Sequence, residues 1–453
     1  MSRSRRTSSV FLITSLAALG VLASLTLALP RSAVAATGNV LLLVADDMGI
    51  DISTFYRTSV RLRTTPPPPA LPNLQALARR GVVFSRAWAT PWCSPTRASI
   101  LTGRYGFRHG LGRPIDQGSP PLALAETTLP EVIGRSGRNY LLRHIGKWHL
   151  SEEARGPNLA GWPDYVGPDP SLGGMQNYFR WTKFVNGASS LSTKYVTSDT
   201  VDEAIATIEA ADRVDRPYFA WVAFNLVHTA YHKPPNNLHT RDSLPATGAP
   251  KRAYLEAMVE ALDSEVGRLL RSVDFATTTV IFIGDNGTAG GVVAPPYSKD
   301  KAKGTIYQGG VQVPLVVAGA GVSGRGYAAG LVNATDLFPT ILQLAGIDPA
   351  AALPGVRTDG VSLLPYLANP SRGSLRSFAY AEEFGARFDG DWERVIRNVN
   401  FALIERFDGS REFYNLVNDR LQNTNLLTRT LTATERLNLA ALDSQLDALL
   451  ATR

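Results

Sequence analysis

Cys93 is the only cysteine in a chain of 453 residues, so no internal disulfide can form. It opens the run Cys93-Ser94-Pro95-Thr96-Arg97. On a helical turn Arg97, four positions on, points the same way as Cys93. Taken alone, such a cysteine is a small buried apolar residue or a thiol nucleophile paired with a histidine. Two other pairs change the context. Asp46-Asp47 and Asp285-Asn286 each follow an apolar run. Three carboxylates and an amide gathered in one crevice repel one another unless a cation sits among them. Oxygen ligands of this kind suit Ca²⁺ or Mg²⁺, whereas zinc favours His or Cys. Singly, each pair is also ordinary turn chemistry.

Groups of the opposite charge are present as well. Gly146-Lys147-Trp148-His149-Leu150 sets a lysine and a histidine on alternate positions, as a strand would. Lys303 follows Asn286 in the next segment, and His228 follows another apolar run, with His232 as the alternative to it. Singly, a Lys or Arg is a solvated surface charge. Together they suit a tetrahedral anion held against a cation: point charges from Lys147 and Lys303, a fork from Arg97, and His149 and His228 for proton transfer.

These residues need elements to position them. Residues 39–45, 218–224, 279–283 and 313–317 are nearly continuous apolar runs, the pattern of buried parallel strands. Helical periodicity over 74–80, 197–211 and 252–273 falls between them. The alternation predicts an α/β fold: a large, mostly parallel sheet sandwiched by helices. The first strand ends in Asp46-Asp47, the second in Asn225 and His228, and the third in Asp285-Asn286. Parallel strands place these ends on one edge, where ligands bind in open α/β sheets. Residues 156–190, rich in Gly, Pro, Trp and Tyr, read as a long ordered loop. Its Trp162, Tyr165, Tyr178, Phe179 and Trp181 are candidates for an aromatic entrance. Beyond residue 370 the texture changes to short antiparallel strands at 393–397, 401–406 and 412–416. A closing helix over 432–450 has a Thr432/Glu435 capping box and Leu439, Leu442, Leu446 and Leu449 at helical spacing.

The formal charge of +7 does not point to nucleic acid. Residues 1–35 carry four arginines and no acid, and setting them aside leaves 42 basic against 39 acidic residues, near +3. No basic run remains in the body. Those residues read as an export signal: Arg3, Arg5 and Arg6, an apolar stretch from Val10 to Leu29, and Ala33-Val34-Ala35 as a cleavage site. The expectation is a periplasmic or secreted protein cleaved near Ala35. The stretch is long, and an uncleaved membrane anchor is the alternative.

The run from Cys93 through Thr102-Gly103-Arg104 resembles the modification motif of type I sulfatases of the alkaline-phosphatase superfamily. Val44-Ala45-Asp46-Asp47-Met48-Gly49, Gly146-Lys147-Trp148-His149, Asn225-Leu226-Val227-His228, Ile283-Gly284-Asp285-Asn286-Gly287 and Lys303-Gly304-Thr305 resemble that family's other segments. The resemblance extends from about residue 38 to the C-terminal sheet. It implies a catalytic α/β domain over 36–370 and a small C-terminal α+β subdomain over 371–453. It also implies arylsulfatase-like hydrolysis of sulfate esters. Cys93 would be oxidised to formylglycine by a formylglycine-generating enzyme, and its hydrate would attack sulfur. Asp46, Asp47, Asp285, Asn286 and residue 93 would hold one divalent cation, Ca²⁺ first and Mg²⁺ second. Arg97, Lys147 and Lys303 would offset sulfuryl charge, His228 would protonate the leaving oxygen, and His149 would take a proton from the second hydroxyl. The partner would be an aryl sulfate or a sulfated carbohydrate; nothing in the sequence sets an oligomeric state. Phosphodiester or phosphonate monoester hydrolysis is the alternative within the superfamily, and a non-catalytic carbohydrate-binding relative the more distant one. There are departures from the resemblance. Trp92 stands where a smaller apolar residue is usual, Gly137 and Tyr140 are separated, Val227 replaces a proline, and Gln308 stands where Glu is common.

Overall fold

Strands that are apolar along their whole length must be covered on both faces, and the central strands here are. In the computed structural model, which describes residues 38–56, 64–385 and 390–453, they lie inside a ten-stranded sheet. The expected export signal falls outside the described residues. In chain order the strands are β1 (Asn39–Ala45), β2 (Gly81–Phe84), β3 (Ala87–Trp88), β4 (Leu141–Gly146), β5 (Asp164–Gly167), β6 (Trp181–Val185), β7 (Ala188–Ser192) and β8 (Tyr218–Ala223). They continue as β9 (Thr278–Gly284), β10 (Leu315–Gly319), β11 (Gly326–Ala328), β12 (Val332–Asn333), β13 (Ala379–Phe384), β14 (Trp392–Arg397), β15 (Phe401–Arg406) and β16 (Arg411–Asn415). The large sheet has the order β11-β2-β10-β9-β1-β8-β4-β5-β6-β7. β9, β1, β8 and β4 form its parallel centre.

Side chains of β1 alternate between two cores. Leu41, Leu43 and Ala45 join the cluster that contains Leu74, Ile208 and Leu262. Val40, Leu42 and Val44 join the cluster that contains Ile100, Val132 and Ile341. The helices Pro72–Arg80, Val196–Arg213 and Lys251–Leu270 therefore cover one face, and Cys93–Thr102, Leu129–Arg135 and Leu337–Leu344 the other. This is the expected sandwich.

Two expectations need correction. The run at 313–317 is not parallel: β10 pairs antiparallel with both β9 and β2. An apolar run encodes burial on both faces and carries no information about strand direction. Residues 156–190 are not one loop, because β5 and β6 extend the sheet edge. Of the five aromatics there, Trp162, Tyr165, Tyr178 and Trp181 are buried, and only Phe179 is exposed. Trp162 and Tyr165 pack around His144 with Trp148 and Trp221. They are core rather than entrance.

The C-terminal sheet, β13-β14-β15-β16, is antiparallel throughout. It too has two covered faces. Val395, Ala402, Ile404 and Tyr414 pack against Trp88, Ile306 and Val311. Ile396, Leu403 and Phe413 pack against Leu442, Leu446 and Leu449 of the closing helix Ala433–Leu450. Thr432 caps that helix in a capping box with Glu435. Among the described residues no helix is long and apolar enough to cross a membrane.

The closing helix supplies a test of this packing. Leu442 is fully buried and Leu437 is 73% exposed. Leu442→Ala should cost about 2–5 kcal/mol in urea unfolding, and Leu437→Ala less than about 0.5 kcal/mol. Equal losses would mean that the helix does not dock on the sheet.

Candidate active site

The four central parallel strands end in register. Val44 pairs with Ala223, Ala45 with Gly284, and Gly146 with Ala223. Neighbouring strands are about 4.8 Å apart, so the residues that follow them must meet. Asp46-Asp47 follow β1, Asp285-Asn286 follow β9, Asn225 and His228 follow β8, and Lys147 to His149 follow β4. Cys93 is the first residue of the helix Cys93–Thr102, which brings its N-terminus to this edge from one face of the sheet.

Each carboxylate meets its own cation. Lys147 Nζ donates to Asp46 Oδ2 at 2.7 Å. Arg97 donates to Asp285 Oδ2 through Nε at 3.1 Å and Nη2 at 2.8 Å, and through Nη1 to the Lys147 carbonyl at 2.7 Å. Lys303 Nζ pairs with Asp47 Oδ1. Asp46, Asp285, Arg97 and Lys147 are all at most 1% exposed. Burial pushes the Asp285 carboxyl up to about 6; Asp46 adds to this, and Arg97 and Lys147 oppose it. Asp47 moves the other way. Burial raises it, but Lys303, His228 and the Asn286 amide together hold it well below the usual carboxylate range.

Two histidines face this cluster. His149 Nδ1 lies 3.2 Å from Cys93 Sγ, and its Nε2 lies 3.2 Å from Asp116 Oδ1. His228 Nε2 is 3.8 Å from Asp47 Oδ2. Burial lowers both imidazoles to about 4, so both are neutral near pH 7. Burial also raises the Cys93 thiol, against the pull of Lys147 and Lys303. The expected strand through Lys147 and His149 is absent: β4 stops at Gly146, and His149 has φ 58°. Asp47 has φ 59°. For residues with a Cβ this left-handed backbone is strained, and both cases fall at the strand tips.

A cation fits the donor set. Asp46 Oδ1 and Asn286 Oδ1 are buried oxygens without a hydrogen-bond partner. Ligand atoms of Asp46, Asp47 and His228 lie within 4.8 Å of one another. Asp285 is engaged by Arg97 and by the Asp47 amide at 3.1 Å. All the sequence-predicted residues thus converge on one edge. His232 does not join them, because it packs on Tyr178 and accepts from or donates to the Tyr195 hydroxyl.

Two parts of the site, Asp116 and the Gly173-Gly174 loop, have no signal in the sequence pattern. Asp116 reaches His149 from the turn Ile115–Gln117. The Gly173 carbonyl accepts from Lys147. A Cβ on Gly173 would stand 2.7 Å from Asp116 Oδ2, and one on Gly174 would stand 2.5 Å from the His228 ring. A side chain at either position would push Asp116 or the His228 ring aside. Asn225, 1% exposed, leaves both amide atoms unpaired at the tip of β8.

The raised thiol has a measurable consequence. In protein that retains Cys93 as cysteine, an aromatic disulfide reagent at pH 8 should react at least ~10-fold more slowly with the folded chain than with the chain in guanidinium. Equal rates would contradict the burial described.

Comparison with known proteins agrees with this geometry. The Sulfatase family profile matches residues 38–347. The chain is 28% identical over 422 residues to human N-acetylgalactosamine-6-sulfatase, covering 82% of this chain and 76% of that one. It is 29% identical over 407 residues to human arylsulfatase A, covering 80% and 74%. It is 28% identical over 330 residues to the uncharacterized sulfatase YdeN of Escherichia coli, covering 67% of this chain and only 58% of that protein's length. The fold matches a crystal structure of Ps i-CgsB with a TM-score of 0.74 at 24% identity, over 91% and 93% of the two chains. A profile matched over most of the chain, with the motif residues gathered at one sheet edge, makes this protein a member of the sulfatase family of sulfuric ester hydrolases.

Proposed function

We propose that the protein hydrolyses sulfate esters to sulfate and an alcohol, with residue 93 as the nucleophile after its conversion to formylglycine. The observation that carries this reading is the ring of three cation–carboxylate pairs around a helix N-terminus bearing Cys93. The hydrated formylglycine supplies an oxygen for attack on sulfur and a second hydroxyl that lets sulfate leave without water attacking sulfur. A divalent cation held by Asp46, Asp47, Asp285, Asn286 and residue 93, Ca²⁺ first and Mg²⁺ second, supplies the positive charge that acidifies that oxygen.

The chain's own residues do the rest. Arg97, Lys147 and Lys303 meet the negative charge of the sulfuryl oxygens in a buried setting, where such contacts are strong. The helix Cys93–Thr102 presents its positive end at residue 93. His149 faces that side chain through Nδ1. For Nδ1 to accept a proton, the imidazole must carry its hydrogen on Nε2, and the Asp116 carboxylate beside Nε2 selects that tautomer. His228 stands beside Asp47 and delivers a proton to the leaving oxygen. The anionic substrate stabilises the imidazolium that this step needs. Substrates are aryl sulfates or sulfated carbohydrates, as the names of the two human relatives suggest. Maturation requires a formylglycine-generating enzyme, and residues 1–35 direct export.

Co-expression with a formylglycine-generating enzyme should change the mass of the Cys93 peptide by the loss of sulfur and two hydrogens and the gain of one oxygen. Hydrolysis within a panel of aryl and saccharide sulfates should appear with it, be lost on chelation and return with Ca²⁺. Full conversion with no turnover of any sulfate ester would sink the proposal, and faster turnover of an aryl phosphonate would favour phosphonate ester hydrolysis. Asp116→Ala should lower kcat about 10–100-fold with KM little changed, and Asp116→Glu should recover part of it. A change confined to KM would make Asp116 a substrate contact instead.

A further inference from the structure

Away from the strand tips, the seam between the large sheet and the C-terminal sheet holds a cavity of about 160 Å³ lined by Arg86, Arg397 and Arg420. Arg397 ends β14, two residues after Val395, so it shares the face that packs on Trp88. It is 3% exposed, and its guanidinium carbon lies 5.4 Å from the Trp88 ring centroid. Its Nε and Nη2 donate to the carbonyls of Asn398 and Val399, both at 2.9 Å. Its Nη1 has no partner among the described residues. Arg86, half-buried on the opposite wall, donates only to the Ala329 carbonyl. Arg420 is exposed at the mouth and makes neither hydrogen bond nor ion pair among the described residues.

Three guanidinium groups thus converge with no carboxylate among the lining residues. Gln308, at a position where the family resemblance has Glu, lines the same cavity and is uncharged. It accepts from Trp88 Nε1 at 2.9 Å through its amide oxygen. Like charges facing a buried guanidinium such as Arg397 are destabilising unless an anion joins them. Burial, together with Arg86 and Arg420, lowers Arg397 to about 9. Elsewhere the buried arginines have acids: Arg97 has Asp285 and Arg376 has Asp336.

We propose that this cavity binds a small divalent oxyanion, sulfate or phosphate, held by Arg86, Arg397 and Arg420. Planar guanidinium forks match the oxygens of such ions. The volume is below the ~300–1,000 Å³ of pockets for larger ligands, which favours a free ion over a saccharide chain. The ion would tie β14 and the loop after β16 to the turn between β2 and β3.

Melting temperature tests this on the full chain, with inorganic sulfate and inorganic phosphate titrated separately against chloride at constant ionic strength. Wild type should gain about 3 °C at roughly a hundred times the dissociation constant of at least one ion. The double variant R86Q/R420Q leaves every strand-tip residue in place. Anion binding at the active site and general salting effects therefore contribute equally to both proteins, and the difference reads the cavity. The double variant should lose most of the gain. Gln308→Glu, which keeps an acceptor for Trp88, should melt higher than wild type without added anion and respond less to it. An equal gain in wild type and R86Q/R420Q would overturn the proposal, as would no gain in wild type with either ion.

Discussion

Asp46, Asp47 and Asp285 are buried side by side at the ends of adjacent strands, and the surroundings answer to their mutual repulsion. Parallel pairing of β1 and β9 leaves no way to separate them, because register fixes Ala45 opposite Gly284. Charges taken out of water at that spacing must be matched by opposite charge. Lys147 follows the end of β4, Arg97 comes from the second turn of a helix, and Lys303 from the loop beyond β9. The matching is nearly one to one, and each partner arrives from a different element. Among the buried oxygens left over are Asp46 Oδ1 and Asn286 Oδ1, which a cation or a solvent proton can satisfy.

The same constraint sets the electrostatics of the proton-handling groups. Lys147 and Lys303 both disfavour a charged His228, and Lys147 and Arg97 disfavour a charged His149. Burial acts in the same direction and dominates. Neutral imidazoles result, each anchored by one carboxylate: Asp116 for His149 and Asp47 for His228. Gly173 lies against Asp116 and the His149 ring and Gly174 against the His228 ring, where a Cβ would crowd those side chains. Acid–base groups are thereby held by packing as much as by hydrogen bonds.

Much of this was legible in the sequence, for identifiable reasons. The apolar runs marked the central strands because burial on both faces leaves a continuous pattern, and the polar residues after them marked the shared edge. The C-terminal strands at 393–397, 401–406 and 412–416 and the capped closing helix were legible from alternation and capping chemistry. Direction was not: β10 reads like its neighbours yet runs against them. Aromatic richness at 156–190 misled because an aromatic ring has the same composition signal in a core as at an entrance. Asp116 was out of reach because its contact with His149 spans 33 positions with no periodicity between them.

The C-terminal sheet bears on the site although, among the described residues, it supplies none of the site's charged groups named above. Trp88, five residues before Cys93, packs on Val395 and Ile404 of that sheet. Its indole donates to Gln308, five residues after Lys303. A second link joins the same two segments, where the Gly304 amide donates to the Pro91 carbonyl at 3.0 Å. Lys303 also lies 5.8 Å from the Trp92 ring centroid. The segment carrying the nucleophile position and the segment carrying Lys303 are therefore crosslinked beneath the sheet. Their relative position fixes how far Lys303 stands from Cys93. Loosening the seam would move a buried charge relative to its carboxylate, and at these separations electrostatic energy changes steeply with distance. The small sheet is thus part of what holds the charge arrangement in place.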